Sequence, residues 1–305
     1  MTTQHGLFGE DIEIAERKRV SRQRDKNTSI ATVFSSGNGV QSVATCVLMA
    51  QGKIDCSHVV FCNVGEDSEN PKTLAYGRNV LEPFLSRHGI RYVEVSRVHR
   101  RRSRRHNKTP GDTFPTLMEY TLTEDNRSIP VCMRMQNGSP GNRSCTMDWK
   151  IKVFHAYCKE QLGATPQAPA VKMLGISIDE IERVNWDSGD EAIINDYPLV
   201  DLQISRAGCV EIIEAAGLPV PSRSACWFCP FTKPSEWLRR KNEEPELFQR
   251  AVEFERRVNE KRRRIGKDQV FLAPFGVDLE TFAAGEYEQS DLEMFDTCES
   301  GHCMT

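Results

Sequence analysis

Between Ser29 and Thr45 an apolar, β-branched run, Ile30-Ala31-Thr32-Val33-Phe34, gives way to the small-residue turn Ser35-Ser36-Gly37-Asn38-Gly39 and resumes at helical spacing from Val40-Gln41-Ser42. That order reads as strand, loop and helix. Gly37 and Gly39 lack a Cβ, so the backbone can curl and bring its N–H groups within reach of an anion. Ser35, Ser36 and Ser42 add hydroxyls, and the positive end of the helix faces whatever sits in the curl. Taken alone, a Gly-Asn-Gly turn of this kind is equally the mark of a βα connection that binds nothing.

The chain then repeats the alternation. Val40 to Met49 reads as the first helix, stopped by Gln51-Gly52, and His58 to Asn63 as a buried strand. A helix over Thr73 to His88, stopped by Gly89, leads into a third strand at Arg91 to Val95, and Ala170 to Ile176 forms another. Successive strand–helix–strand units imply parallel pairing with right-handed crossovers, hence an α/β fold. Open sheets of this type bind ligands at the carboxyl ends of their strands. Two polar turns fall there: Val64 to Thr73, and Ser177-Ile178-Asp179-Glu180-Ile181-Glu182-Arg183. Asp179 or Glu180 has the chemistry to hold Mg2+ or a ribose hydroxyl and Arg183 to meet a phosphate, while an acidic helix start explains the same residues without a ligand.

Cysteine supplies the second signal. Eleven cysteines are many for a chain whose polar, charged N-terminus, Met1 to Asn27, has no signal-peptide core, and a cytoplasmic location leaves disulfides little place. Cys226-Trp227-Phe228-Cys229-Pro230 sets two thiols at a spacing that grips one metal ion or two corners of an iron–sulfur cluster, and equally suits half a zinc site or a redox dithiol. With Cys145 and Cys209 as third and fourth ligands the set becomes four thiolates, compatible with [4Fe–4S] or Zn2+. Cys132 is the rival for the fourth place. Cys46, Cys56, Cys62 and Cys158 lie in apolar or helical settings and read as core thiols. The net charge of −3 demands no nucleic acid, although the basic run Arg97 to Lys108 stands out against it as a solvated loop or a phosphate contact.

Ser35 to Ser42 resembles the pyrophosphate loop of the PP-loop ATP pyrophosphatases (adenine nucleotide alpha hydrolase-like), in the Ser-x-Gly-x-Gly-Val-Gln-Ser form of proteins related to phosphoadenosine phosphosulfate (PAPS) reductase. Ser144-Cys145-Thr146-Met147-Asp148-Trp149-Lys150-Ile151 resembles that group's Cys-Thr-x-x-x-Lys-Ile segment, and Gly175 to Arg183 its Gly-Ile-x-x-Asp-Glu-x-x-Arg pattern. Ser224 to Phe231 looks like the Ser-x-Cys-x-x-Cys-Pro-Phe segment of the cluster-bearing subgroup. The resemblance implies that Ser35, Ser36, Gly37, Asn38, Gly39, Gln41 and Ser42 bind ATP. Asn63, Gly65 and Glu66 would lie near the adenosine, with Glu180 and Arg183 completing the nucleotide site. Cys145, Lys150 and Asp179 take catalytic places, and Cys145, Cys209, Cys226 and Cys229 hold a [4Fe–4S] cluster, with Zn2+ as the alternative. The implied reaction forms AMP and pyrophosphate, activating a base or small-molecule carbonyl for sulfur transfer.

These readings divide the chain into an N-terminal extension (1–27), a nucleotide-binding core (28–205), a cysteine-rich helical unit (206–284) and a tail (285–305). They also name partners: a small-molecule or nucleic-acid thiolation acceptor, a sulfur donor such as a cysteine desulfurase, no membrane, and a homodimer as an open option. Two rival functions remain at this stage. A sulfonucleotide reductase would use a tail cysteine, for which Glu299-Ser300-Gly301-His302-Cys303 is a faint counterpart, and a zinc-binding subunit of a nucleic-acid modification complex would need no catalysis.

Overall fold

The computed structural model describes residues 26, 28–100, 108–124 and 127–285. The expected N-terminal extension, apart from Lys26, and the tail beyond Gly285 lie outside the described residues. Five strands, β1 (Ala31–Ser36), β2 (His58–Asn63), β3 (Arg91–Ser96), β4 (Ala170–Leu174) and β5 (Ile193–Asp196), form one sheet in the order β3-β2-β1-β4-β5. Every neighbouring pair is parallel, so the protein is α/β with helices flanking the sheet. β4 stops at Leu174, two residues before the expected end, because Ile176 N–H turns back to the Leu174 carbonyl. The sequence reading had no counterpart for β5, whose four residues are too few to show a period.

Alternation along β1 sends Val33 and Phe34 to opposite faces, each fully buried in a different core. On the Phe34 face, α1 (Val40–Ala50) packs through Val43 and Val47 beside Leu81 and Leu85. Those two leucines belong to a helical stretch in which α2 (Pro71–Tyr76) passes through a π-turn, Gly77–Leu81, into α3 (Glu82–Arg87). On the Val33 face, α6 (Lys152–Gln161) contributes Val153, Phe154 and Cys158, following α4 (Leu117–Leu122), the single turn α5 (Ser144–Thr146) and a π-turn at Met147–Ile151.

After β5 come α7 (Pro198–Asp201), α8 (Arg206–Ala215), α9 (Pro234–Glu243), α10 (Pro245–Arg264) and α11 (Leu279–Ala284). No core boundary coincides with residue 205. α8 joins the Phe34-face core through Cys209 and Ile213. A third core unites Trp227, Trp237, Phe248 and Phe254 with Val64, Leu117, Val131 and Trp149 from the earlier half of the chain. α10 buries Phe248, Ala251, Phe254 and Val258 along one face. None of the helices among the described residues is long and apolar enough to cross a membrane.

Candidate functional site

In the strand order, β1 has β2 on one side and β4 on the other, so the loops leaving β1 and β4 diverge and open a crevice between them. A cavity of about 540 Å3 occupies it. Ser35, Ser36, Gly37, Gly39, Gln41 and Ser42 line it from the β1–α1 loop, and Glu180 and Arg183 from the 3-10 turn Ile178–Arg183. Six cations, Lys150, Lys172, Arg183, Arg206, Arg223 and Lys233, face two carboxylates, Glu180 and Glu236, across this space. No side chain caps α1 and its first turn carries no acid, so the dipole of its N-terminus adds to the positive field. One Arg223 nitrogen, Nη1, is buried with no hydrogen-bond partner while Nη2 donates to the Phe231 carbonyl at 2.6 Å. An anion with several oxygens suits such a cavity.

Within the loop the roles divide. Gly37 N–H donates to Ser42 Oγ at 3.0 Å, closing the curl. Asn38 sits at φ 58° and does not line the cavity: its Nδ2 donates to the Tyr92 hydroxyl at 2.9 Å, and its Oδ1 accepts from Ser36 Oγ at 2.9 Å. Asn38 thus holds the shape of the loop with its side chain, which is engaged away from the cavity. Its side chain also explains Gly77, where a Cβ would lie 2.5 Å from Asn38 Nδ2. At Gly39 a Cβ would lie 2.4 Å from Ser224 Oγ, so the missing side chain makes room for the cysteine-bearing segment.

Gln41 ties the crevice rim together, donating to Glu180 Oε2 at 3.0 Å and accepting from Arg206 Nη1 at 2.9 Å. Glu180 also pairs with Arg183 at 2.6 Å. Asp179 turns elsewhere: its Oδ1 accepts the Arg206 N–H at 2.9 Å at the first turn of α8, and it does not line the cavity, against its expected catalytic place. Asn63, Gly65 and Glu66 are likewise engaged away from the cavity. Asn63 Oδ1 accepts the Gly65 N–H at 2.8 Å, Asn63 Nδ2 donates to Glu66 and Glu94, and Arg78 pairs with both carboxylates. Hydrogen bonding from Arg78 holds the Glu66 carboxyl below its ordinary range. This turn shapes the carboxyl end of β2 and docks the cysteine segment, since Trp227 Nε1 donates to the Asp67 carbonyl at 2.6 Å and Glu69 bridges to Cys226.

Four cysteines surround a second, smaller cavity: Cys132, Cys145, Cys226 and Cys229, with Val64, Leu117, Val131, Phe228 and Phe231 as its apolar wall. Burial pushes the Cys226 thiol well above its ordinary value and the Cys132 thiol up to about 11; neighbouring thiols add to both shifts. Burial, then Cys229, raise Cys145 too, against the pull of Lys150 and Arg143. Arg143 Nη2 is buried there without a partner. Among the described residues no group of three or more His, Cys, Asp or Glu side chains is set to hold a single metal ion. The four thiols share the wall of that one cavity, and thiolates are the donors that both zinc and iron–sulfur clusters take.

Cys209 does not belong to the ring. It is fully buried in the Phe34-face core with Val43 and Ile213, and burial lifts its thiol to about 12. The two helices α1 and α8 close over it, a packing role that the sequence could not separate from ligation. Lys150, carried by the π-turn after Cys145, lines both cavities and stands 3.4 Å from the buried Glu69 carboxylate. π-turns of this kind recur at functional sites.

Sequence reasoning missed Lys172, Arg206, Arg223, Ser224 and Lys233. Lys172 had a readable signal, a lone charge in the otherwise apolar strand Ala170–Leu174, whereas the others reach the crevice only through the tertiary path of the chain. Of the basic run, residues 101–107 lie outside the described residues. Arg97 stacks its guanidinium on Phe114 and Trp149, 3.8 and 4.2 Å from the ring centroids, and Arg100 pairs with Glu160.

This chain matches no family model, no curated protein and no solved structure. The fold and geometry define a parallel α/β protein with a cation-lined crevice at the strand-order switch and a ring of four cysteines beside it.

Proposed function

We propose that this protein is a PP-loop ATP pyrophosphatase that activates an acceptor carbonyl for sulfur transfer, with a [4Fe–4S] cluster on Cys132, Cys145, Cys226 and Cys229. The observation that carries the reading is the pair of cavities joined at Lys150, one fit for phosphates and the other ringed by thiols. The β1–α1 loop and α1 N-terminus would hold the triphosphate, Arg183, Arg206 and Arg223 would neutralise it, and Mg2+ would enter with the nucleotide. An acceptor oxygen attacking the α-phosphorus would expel pyrophosphate and leave an adenylylated acceptor, and a sulfur nucleophile would then displace AMP. The cluster, when bound, would supply a sulfur-rich, thiolate-held surface next to that acceptor. Lys150 would place its charge between the two cavities, and Phe228 and Phe231 would keep water from the thiols.

The test is anaerobic purification with iron, acid-labile sulfide and zinc analysis, together with equilibrium binding of ATP. About four irons and four sulfides per chain are expected from a cluster with four corner cysteines. One tightly bound zinc and no sulfide would replace the cluster with a zinc site. Absence of ATP binding would remove the pyrophosphatase reading. Acceptor and sulfur donor then follow from incubating cluster-loaded protein with ATP and candidate bases, nucleic acids and a cysteine desulfurase, and following AMP release.

A further inference from the structure

Lys172 is one of the few charged residues in the sheet interior. It stands mid-strand on β4, opposite Val33 of β1 and Asn195 of β5, on the face covered by α6, and is only 5% exposed. A lysine ammonium in such a place costs several kcal/mol unless an anion or strong acceptors compensate it. Its described neighbours compensate little. Its Nζ lies 3.5 Å from His155 Nε2, a neutral acceptor at the edge of hydrogen-bonding range. His155 Nδ1 lies 3.4 Å from Asp190 Oδ2, and Asp190 is itself paired with Lys159. Cys158 on α6 and Cys62 on β2 are the other titratable groups facing the ammonium, and burial lifts both thiols to about 12, so neither is an anion at neutral pH. Lys172 and Cys62 also line the large crevice, as Lys150 does.

We propose that Lys172 is an anion-binding residue of the crevice whose proton is coupled to occupancy: an anionic ligand below the β1–α1 loop is its missing counter-charge, and the His155–Asp190 pair positions it. The inference rests on the reading of the crevice as a phosphate site. Burial holds the Lys172 ammonium down to about 8, and burial followed by the Lys172 charge holds His155 down to about 4. The neutral imidazole therefore keeps its Nδ1 proton toward Asp190 and offers Nε2 to Lys172. An arriving phosphate favours the charged form of Lys172 and raises its pKa. Below about pH 8 the proton is already present and affinity is flat. Above it each ligand bound takes up one proton from solution, and affinity falls about tenfold per pH unit until the pKa of the bound state is reached.

ATP is the probe, because its terminal phosphate no longer titrates above pH 8. Calorimetry on the wild-type protein between pH 7 and 9.5, in pairs of buffers with different ionisation enthalpies, should show proton uptake rising from near zero to about one per ATP. Lys172→Arg, whose charge persists over this range, should bind ATP without that uptake and without the fall in affinity. Lys172→Met should bind ATP weakly at pH 7 and show no uptake. ATP binding by wild-type protein with no proton uptake at pH 9, or with uptake that survives in Lys172→Arg, overturns the role of Lys172 and leaves the phosphate site standing. No ATP binding at any pH overturns both. The wild-type measurement decides even where a variant fails to fold.

Discussion

At Gly39 a single methyl group decides whether two distant stretches of chain can meet. An alanine there would place its Cβ 2.4 Å from Ser224 Oγ and 3.3 Å from Ser224 Cβ, so the Ser224 hydroxyl must rotate away and its Cβ give by a few tenths of an ångström for the β1–α1 loop and the cysteine-bearing segment to stay in contact. Gly39→Ala is expected to lower stability by ~1–3 kcal/mol, the usual cost of overpacking. It should also weaken ATP binding about tenfold, equivalent to ~1.4 kcal/mol. Ser224→Gly in the same chain should restore part of both, giving a coupling of ~1 kcal/mol in a double-mutant cycle. Unchanged ATP affinity in Gly39→Ala would show that the close approach does not shape the crevice. Glycine was legible in the sequence as a residue that permits proximity, but the neighbour in question, Ser224, was not.

At the scale of elements, the fourth cysteine is a choice between helix and loop. Cys132→Ala should lower iron content as strongly as Cys145→Ala, Cys226→Ala or Cys229→Ala, because its thiol lines the same cavity. Cys209→Ala should keep its iron and instead cost ~1 kcal/mol of stability, as removal of a small buried side chain does. Iron lost from the Cys209 variant and kept in the Cys132 variant would reverse the assignment. A different constraint links α10 to α11: the Glu255 carboxylate accepts the Leu272 N–H at 2.5 Å and the Leu279 N–H at 2.6 Å. Burial, only partly offset by those two donors, raises Glu255 to about 7. A raised carboxyl means that the folded chain holds the proton more tightly than the unfolded chain. Its stabilising linkage is full below about pH 4.5, is lost as pH rises toward 7, and is flat above that. Urea unfolding should show this slope in wild type and lack it in Glu255→Gln, which should also be less stable throughout because its NH2 cannot accept. A slope unchanged by the substitution would place the titration elsewhere.

Across the whole molecule, Trp227, Trp237 and Phe254 share a core with Val64, Leu117, Val131 and Trp149, so the last hundred residues complete the first two hundred. Thermal unfolding followed by near-ultraviolet circular dichroism and by calorimetry should therefore give one coincident transition. A chain ending after Gly217 should leave those four apolar residues uncovered and aggregate, and a soluble, cooperatively folded fragment would refute the shared core. Sequence alone determined the parallel α/β alternation, the crevice-forming loop at Ser35–Ser42 and the Cys226/Cys229 pair, because each is written in neighbouring residues: a period, a run of small side chains, a fixed spacing. Tertiary structure alone decided that Cys132 joins the ring while Cys209 packs beneath α1, and that Asn38 and Asp179 face away from the crevice while Lys172 and Arg223 face into it. Those outcomes depend on which elements are pressed together and on the direction in which each side chain then points. No local pattern encodes that, since the same cysteine at a helix start or the same lysine in a strand is chemically identical until burial and neighbours assign it a partner.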